Sequence, residues 1–425
     1  MPLQAELVVT NIGQLLTMQG EGLGLVEDAV VVAAGGRIIA AGCKAQVEAL
    51  LGPLPGPRSG AVVLDAAGGV VSPGLIDSHT HLLFAGWREA EFSERLEGRP
   101  YLEILASGGG ILSTVARFRT ATDEELLAWG RAALDRMLAA GTTTVEAKSG
   151  YGLSAEQELR ALRLLRRLGC EHPVTVVPTF LGAHAVPPEY RGRADAAAAY
   201  VDEVCLPLLP EIAASGLASF CDVFCEEGVF GIAEARRLLE AAAGCGLSPK
   251  LHADELGPLG GAELAAEVGA VSADHLVHAS ERGLEMMGRA GVTAVLLPTT
   301  TFTLGLGDYA PARRMLELGV SVALATDFNP GTSPVESLPL VMGIACRTMR
   351  LTPAEAFRAC TVTAAKAIGL AGKAGELRPG LPADLVVFDA DDYRQIAYRL
   401  GANLVRAVVK GGRIVVGAGA GRGGR

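Results

Sequence analysis

Over about 290 central residues, short β-branched segments alternate with amphipathic helical ones. That alternation restricts the chain to parallel strands covered by helices. The helical stretch 126–141 closes on Gly141, a residue suited to a left-handed cap, and TTTVEAKSG follows as strand and loop. Ser154 and Gln157 have the spacing of a capping box for a helix running through Leu168. VTVVPTF (174–180) is the next strand, and a longer helical region covers 195–214. ASFCDVFC, PKLHADE, SADHLVHA, GVTAVLLPTT and GVSVALATDF continue the strands, with helical stretches near 232–243, 260–267, 281–289 and 311–318. An open doubly wound sheet is the rival architecture, and it predicts a nucleotide-type glycine fingerprint after a strand. SGGGI (107–111) has neither the GxGxxG nor the Walker spacing. The expected fold is therefore α/β, a barrel of parallel strands over residues 71–370.

The two ends of the chain read differently. ELVVTNIGQLLTM, DAVVVAAGGRIIAAG and GAVVLDAAG place β-branched residues between Gly-rich turns within 1–70. ADLVVFDAD and LVRAVVKGGRIVV repeat the pattern within 371–418, with Lys410-Gly411-Gly412-Arg413 suited to a hairpin turn. Neither end holds enough apolar residues for a core of its own. The expectation is one small composite β-sandwich domain built from both, followed by a loose tail at 419–425.

The 425 residues are 50% hydrophobic and 20% charged, which allows a substantial core and excludes wholesale disorder. A net charge of −10 disfavours nucleic acid as a partner, since gripping phosphates needs a cationic surface. No clean apolar run of about 18 residues is present, so no membrane span is expected. The opening MPLQAELVVTNIG has no cationic segment followed by an apolar one, and the expected location is the cytoplasm. Among eight cysteines only Cys221 and Cys225 are close, without the second pair of a thiolate zinc site. Buried, reduced thiols are expected.

The polar signals gather at strand ends. His79 and His81 lie in VVSPGLIDSHTHLLF, His252 ends PKLH, His275 ends or follows VSADH, and Asp327 ends VSVALATD. In a parallel barrel the C-terminal strand ends share one face, so residues distant in sequence converge there. His79 and His81, two apart on an extended segment, present both rings to one side. Neutral imidazoles and a carboxylate suit zinc or ferrous iron. His252 and Asp327 would complete the set and leave room for water. Each residue taken singly has a structural reading too: a histidine capping a strand, or Asp327 holding the turn behind it. The combination is what points to a metal.

A bound cation makes water acidic enough to attack an amide near neutral pH. Glu255, three residues after His252, can carry the proton to the leaving nitrogen. His275 can polarise the carbonyl or steady the developing oxyanion. Asp254 and Asp274 read first as supporting or structural acids.

VSPGLIDSHTH, followed by single His and Asp residues at later strand ends and by GELRPGLPADLVVFD, resembles the amidohydrolase superfamily. Within it, HTHLLFAGWR, EAKSGYGL, TFLGAH, FCDVFCEEGVF, LHADEL, SADHL and ATDFNPGTSP resemble the hydrolases that open an imidazolone ring in histidine degradation. The likeness spans nearly the whole chain except the Gly-rich tail. It implies a (β/α)8 barrel with a composite β domain, a homodimer, and one Zn2+ or Fe2+/Fe3+ per subunit held by His79, His81, His252 and Asp327. It also implies that Arg88 binds the substrate's propionate carboxylate, and that Tyr151, His184, Asn329, Gly331 and Thr332 hold the rest. Glu255, His275 and Asp327 act at the reacting centre. The implied reaction converts 4-imidazolone-5-propanoate, a small anionic imidazolone, to N-formimidoyl-L-glutamate.

The chemistry of these residues is compatible with that assignment. The planar guanidinium of Arg88 can hold a carboxylate through two hydrogen bonds, or else form a loose surface ion pair. Tyr151 in its Gly-rich loop can face a ligand or pack. The Asn329-Pro330-Gly331 turn can offer polar groups to a ring, or shape the loop behind Asp327. Lys148 tempts a reading as the modified lysine that bridges two metals in some relatives. Its EAKSGYGL context lacks a strand-four setting, so one metal is expected. Three rivals stay open on residue chemistry: a purine or pyrimidine deaminase, a hydantoin or dihydropyrimidine amidase, and a non-catalytic metabolite-binding barrel.

Overall fold

The computed structural model describes residues 5–54, 60–99, 103 and 109–417. The tail expected at 419–425 and the first two residues of SGGGI lie outside the described residues. The N-terminal β-branched segments form β1 (Leu7–Leu16), β2 (Leu25–Ala34), β3 (Arg37–Cys43), β4 (Val62–Asp65) and β5 (Val70–Pro73). Eight strands follow: β6 (Leu75–Asp77), β7 (Thr142–Lys148), β8 (Thr175–Ala183), β9 (Phe220–Cys225), β10 (Ser248–Ala253), β11 (Ser272–His275), β12 (Thr293–Leu296) and β13 (Ser321–Leu324). β14 (Leu385–Phe388), β15 (Val405–Lys410) and β16 (Arg413–Val416) end the series.

The two chain ends share one mixed sheet, ordered β16-β15-β14-β5-β1-β2-β3, with β4 paired to β1. They meet where β5 and β14 run antiparallel, Val70 opposite Phe388 and Pro73 opposite Leu385. The period of two explains why neither end folds alone. Leu7, Val9, Leu15, Val31, Leu385, Val387 and Val409 fill a single cluster drawn from both ends, while Val8, Val30 and Val32 face the other way onto Val47 of the helix Lys44–Leu51. The β15–β16 hairpin turns through Gly411 and Gly412, both at positive φ, as its sequence predicts.

β6 to β13 are parallel neighbours in sequence order. The sheet closes just past β6 and β13, where Thr80 pairs with Phe328 and the His81 N–H donates to the Phe328 carbonyl at 2.9 Å. Closure removes the open doubly wound alternative. On β7, Val145 and Ala147 join the helix-side core, while Glu146 and Lys148 alternate with them into the barrel interior.

The helices follow the apolar periodicity, with bounds close to those expected. Asp123–Ala139 ends just before Gly141, whose φ of 95° turns the chain into β7. The helix Ala155–Glu171 carries only half of the capping box expected at its start. Ser154 Oγ accepts from the Gln157 N–H at 3.4 Å, but Gln157 Oε1 accepts from Arg160 at 3.0 Å instead of returning to the cap. All eight cysteines are free. Cys205, Cys221, Cys225 and Cys360 are buried as expected, whereas Cys170 is exposed because it sits off the apolar stripe of its helix. Among the described residues no helix is long and apolar enough to cross a membrane.

Candidate metal centre

The C-terminal ends of the barrel strands converge on one buried mouth. Past β6 the chain stays extended, so His79 and His81 share a side; His252 lies on β10, His275 ends β11 and Asp327 follows β13. Asp254, His275 and Asp327 all hold positive φ, at 50°, 73° and 53°. A non-glycine residue in that region costs on the order of 1–3 kcal/mol, a strain typical of functional sites.

The ligand atoms of His79, His81 and His252 lie within 4.8 Å of one another, as do those of His79, His275 and Asp327. His79 Nε2 and His81 Nε2 are 3.3 Å apart, and each is 3.4 Å from Asp327 Oδ1. Ligands held at about 2.0–2.1 Å on a tetrahedron are separated by about 3.3–3.4 Å. His252 Nε2 and Asp327 Oδ1 are buried without a hydrogen-bond partner. Buried polar atoms are rarely left so, and here they point at a common centre. This donor set fits a zinc or iron ion.

The outward atoms of His79, His252 and Asp327 are fixed. His79 Nδ1 lies 2.6 Å from Asp274 Oδ2, and His252 Nδ1 lies 3.1 Å from Asp222 Oδ1. A carboxylate at Nδ1 holds the proton there, so in the neutral ring the Nε2 lone pair faces the centre. Thr300 Oγ1 donates to Asp327 Oδ2 at 2.6 Å, so Oδ1 is the inward oxygen. Asp77 accepts from Thr326 N and Oγ1 at 3.1 and 2.6 Å and anchors the residue before Asp327.

Lys148 is held by three carboxylates. Its Nζ is 2.9 Å from Glu146 Oε1, 2.7 Å from Asp222 Oδ2 and 3.4 Å from Asp274 Oδ2. Burial works against that charge, but the carboxylates of Asp222, Glu146 and Asp274 outweigh it and hold the ammonium above its ordinary range. Asp274 is thus the supporting acid expected. Asp254 is a loop clamp: its carboxylate accepts from the N–H groups of Leu259, Gly260, Gly261 and Ala262 at 2.9–3.0 Å.

The remaining candidate side chains lie around this cluster. Glu255 Oε2 is 3.5 Å from His275 Nε2. Burial, with the carboxylates of Asp327 and Glu226 nearby, pushes the Glu255 carboxyl up to about 8. His184 stacks on His81, ring centroids 4.8 Å apart and 13° from parallel, and its Nδ1 is 3.0 Å from the Gly150 carbonyl. That carbonyl accepts, so Nδ1 carries hydrogen; burial keeps the ring neutral, and Nε2 is left as an acceptor. Tyr151 is buried beside His81 and His184, and Arg88 and Asp327 both act on its phenol. Arg88 donates through Nε to Glu91 Oε2 at 3.0 Å, and Gly331 lies against its guanidinium. The Asn329 amide is spent on its own turn: Oδ1 accepts from Gly331 N and Thr332 N at 2.8 and 2.7 Å, and Nδ2 donates to the Asp327 carbonyl at 2.7 Å.

Sequence reasoning missed the carboxylates that hold these parts. Glu158 accepts from the N–H groups of Gly150, Gly152 and Leu153 at 2.8–3.1 Å and so fixes the Tyr151 loop. Glu226 accepts from Glu255 N and Leu256 N at 3.1 and 2.9 Å. Glu91 links Arg88 to Gly110 N and Ser113 Oγ, and Asp222 links His252 to Lys148. Only Asp222 left a readable sign, an acid inside the apolar strand segment FCDVFC.

Residues 70–415 match the model of the amidohydrolase family. The imidazolonepropionase of Bacillus velezensis is 48% identical, covering 98% of each chain, and that of Geobacillus kaustophilus is 49% identical, covering 96% of this chain and 98% of its own. Among solved structures, a zinc-bound adenosine deaminase from Xanthomonas campestris superposes with a TM-score of 0.71 at 17% identity, over 98% of this chain and 94% of that one. A 5-methylcytosine deaminase from Klebsiella pneumoniae gives 0.73 at 16% identity, over 97% and 98%. At such identities the deaminases share the fold alone, whereas the imidazolonepropionases match end to end. The chain belongs to the amidohydrolase family and, within it, to the imidazolonepropionases.

Proposed function

We propose that this chain hydrolyses the ring amide of 4-imidazolone-5-propanoate to N-formimidoyl-L-glutamate in histidine degradation. It does so in the cytoplasm, as a homodimer with one Zn2+ or Fe2+/Fe3+ ion per subunit. The observation that carries the reading is the packing of His79 Nε2, His81 Nε2 and Asp327 Oδ1 at 3.3–3.4 Å, in a chain matched end to end by imidazolonepropionases. His79, His81, His252 and Asp327 would hold the ion, which supplies Lewis-acid activation of water and carbonyl when bound.

The chain's own residues supply position and proton traffic. Arg88 has its Nε turned to Glu91, which leaves the two Nη groups to grip the propionate carboxylate. Tyr151 and Thr332 close on the ring, and Asn329 sets the turn that presents Gly331 and Thr332. His184 Nε2, an acceptor, suits a ring N–H. His275, kept neutral by burial, donates to the carbonyl oxygen as charge builds there. As water adds to the carbonyl carbon and the ring C–N bond breaks, one carboxylate, Glu255 or Asp327, takes up the water's proton, and Glu255 delivers one to the departing nitrogen.

An anaerobic assay of imidazolonepropionate loss, with metal stoichiometry and product identity measured together, tests this. N-Formimidoyl-L-glutamate formed in proportion to bound metal is the expected result. Ammonia release from guanine or cytosine would favour a deaminase instead. Faster turnover of a hydantoin or dihydropyrimidine at equal metal loading would favour another cyclic amidase.

A further inference from the structure

Lys148 lies beneath the metal centre, fully buried, and no step of the proposed reaction uses it. Its two closest links outside β7 are to Asp222 at 2.7 Å and Asp274 at 3.4 Å. Those same carboxylates hold His252 Nδ1 at 3.1 Å and His79 Nδ1 at 2.6 Å. A continuous chain His79–Asp274–Lys148–Asp222–His252 therefore crosses the barrel interior through β11, β7, β9 and β10, with every connecting group dry. Glu146 fixes Lys148 from the other side at 2.9 Å, and Lys250 in turn lies 3.3 Å from Glu146.

We propose that Lys148 is a positioning residue for the metal centre: one ammonium, through Asp274 and Asp222, sets the orientation of two metal-ligating imidazoles at once. This rests on His79 and His252 being ligands. Carboxylates paired with ligand histidines commonly govern metal affinity by about 10–100-fold. Here both such carboxylates answer to a single side chain. The two histidines are then not independent ligands: disturbing one carboxylate moves the ammonium and reaches the other.

The sign of the effect separates this role from simple charge. Removing a buried positive charge would relieve Coulomb repulsion and tighten binding of a cation. Loss of orientation loosens it. Zinc affinity is therefore measured on metal-free full-length protein by competition with a chromophoric chelator, for wild type, Lys148→Met, Asp222→Asn, Asp274→Asn and the Asp222→Asn/Asp274→Asn double variant. Melting temperatures of the metal-free forms and the visible spectra of the Co2+ forms accompany it. Lys148→Met is expected to bind Zn2+ at least tenfold more weakly, with a changed Co2+ spectrum. Unchanged or tighter zinc binding overturns the proposal, even if the metal-free protein melts earlier, because that pattern marks a merely structural lysine.

Should Lys148→Met fail to fold, the asparagine variants decide. Losses in the double variant that depart at least threefold from the product of the single losses support coupling through the shared ammonium; multiplicative losses overturn it. His252→Ala serves as the control for the ligand assignment. Undiminished zinc binding there overturns the metal centre and the proposal together. Undiminished binding in Lys148→Met beside a zinc-free His252→Ala overturns the proposal alone.

Discussion

Gly331 lies flat against the guanidinium of Arg88: a Cβ built at position 331 would stand 2.3 Å from Nη1 and 2.4 Å from Cζ. No side chain fits there without moving the arginine. Gly331→Ala should therefore displace Arg88 from its bond to Glu91, misplacing the substrate's carboxylate. A misplacement of about 1 Å can cost on the order of a hundredfold. KM should rise at least severalfold while bound metal stays at the wild-type level. Steady-state kinetics with metal analysis checks this, and Arg88→Met should reproduce the rise in KM. An unchanged KM in both variants would mean that Arg88 does not touch the substrate.

Glu255 faces His275 at 3.5 Å, and no ligand atom of the centre depends on it for a hydrogen bond. Its backbone is held by Glu226 rather than by its own carboxyl. Glu255→Gln should leave the loop and the metal content intact, yet lower kcat by about 10²–10⁴-fold if it is the proton carrier. Full turnover in a metal-loaded Glu255→Gln variant would remove it from the mechanism.

The main features of the fold were legible because barrel and mixed sheet each follow from a local period. The strands β7 to β13 and the helices between them fall on the expected segments, and His79, His81, His252 and Asp327 meet because parallel strands share one end. What could not be read was pairing at long range. Glu226, Glu158 and Glu91 look like ordinary acids in sequence, and Asp222 shows only that it interrupts an apolar strand; their partners are set when the barrel closes. Lys148 shows the limit well. Its neighbour Glu146 is two residues away and was foreseeable, whereas Asp222 and Asp274 arrive from β9 and β11. Thr122 and Glu125 form a complete capping box with the T-x-x-E spacing, while Ser154 and Gln157, with a similar signal, complete only half. A hydrogen-bonding neighbour, Arg160, is the difference.

Gly74 joins β5 of the mixed sheet to β6 of the barrel, and a Cβ there would lie 2.2 Å from Thr143 Oγ1 and 2.8 Å from Thr143 Cβ. Thr143 is buried on β7, with little room to retreat. Gly74→Ala should lower stability by roughly 1–3 kcal/mol through overpacking. Adding Thr143→Ala should restore part of it, since two of the three nearest atoms are then gone. Denaturation midpoints of the two variants test the contact. An alanine at 74 that costs nothing would show that the two sheets shift apart freely at this joint.

Acid should weaken one specific brace on the outside of the barrel. Arg313, on the helix Ala312–Glu317, makes two bonds of 2.9 and 2.7 Å to Glu355, on the helix Pro353–Ala359. Glu355 also completes a capping box with Thr352. The Arg313 guanidinium holds the Glu355 carboxyl down to about 2 from its ordinary 4.5, against the pull of partial burial, with the Thr352 N–H and hydroxyl assisting. A folded-state value below the unfolded one means that the brace stabilises fully above about pH 4.5 and is lost as pH falls toward 2. Glu355→Gln should accordingly destabilise the metal-free protein at pH 7, and the gap from wild type should shrink as the pH is lowered through 4 to 3. Thr352→Ala removes the hydroxyl half of the cap and should cost about 1 kcal/mol at neutral pH. Urea midpoints of the metal-free proteins across that range measure both. A Glu355→Gln gap that stays constant from pH 7 to 3 would show that the carboxylate charge contributes nothing to holding the two helices together.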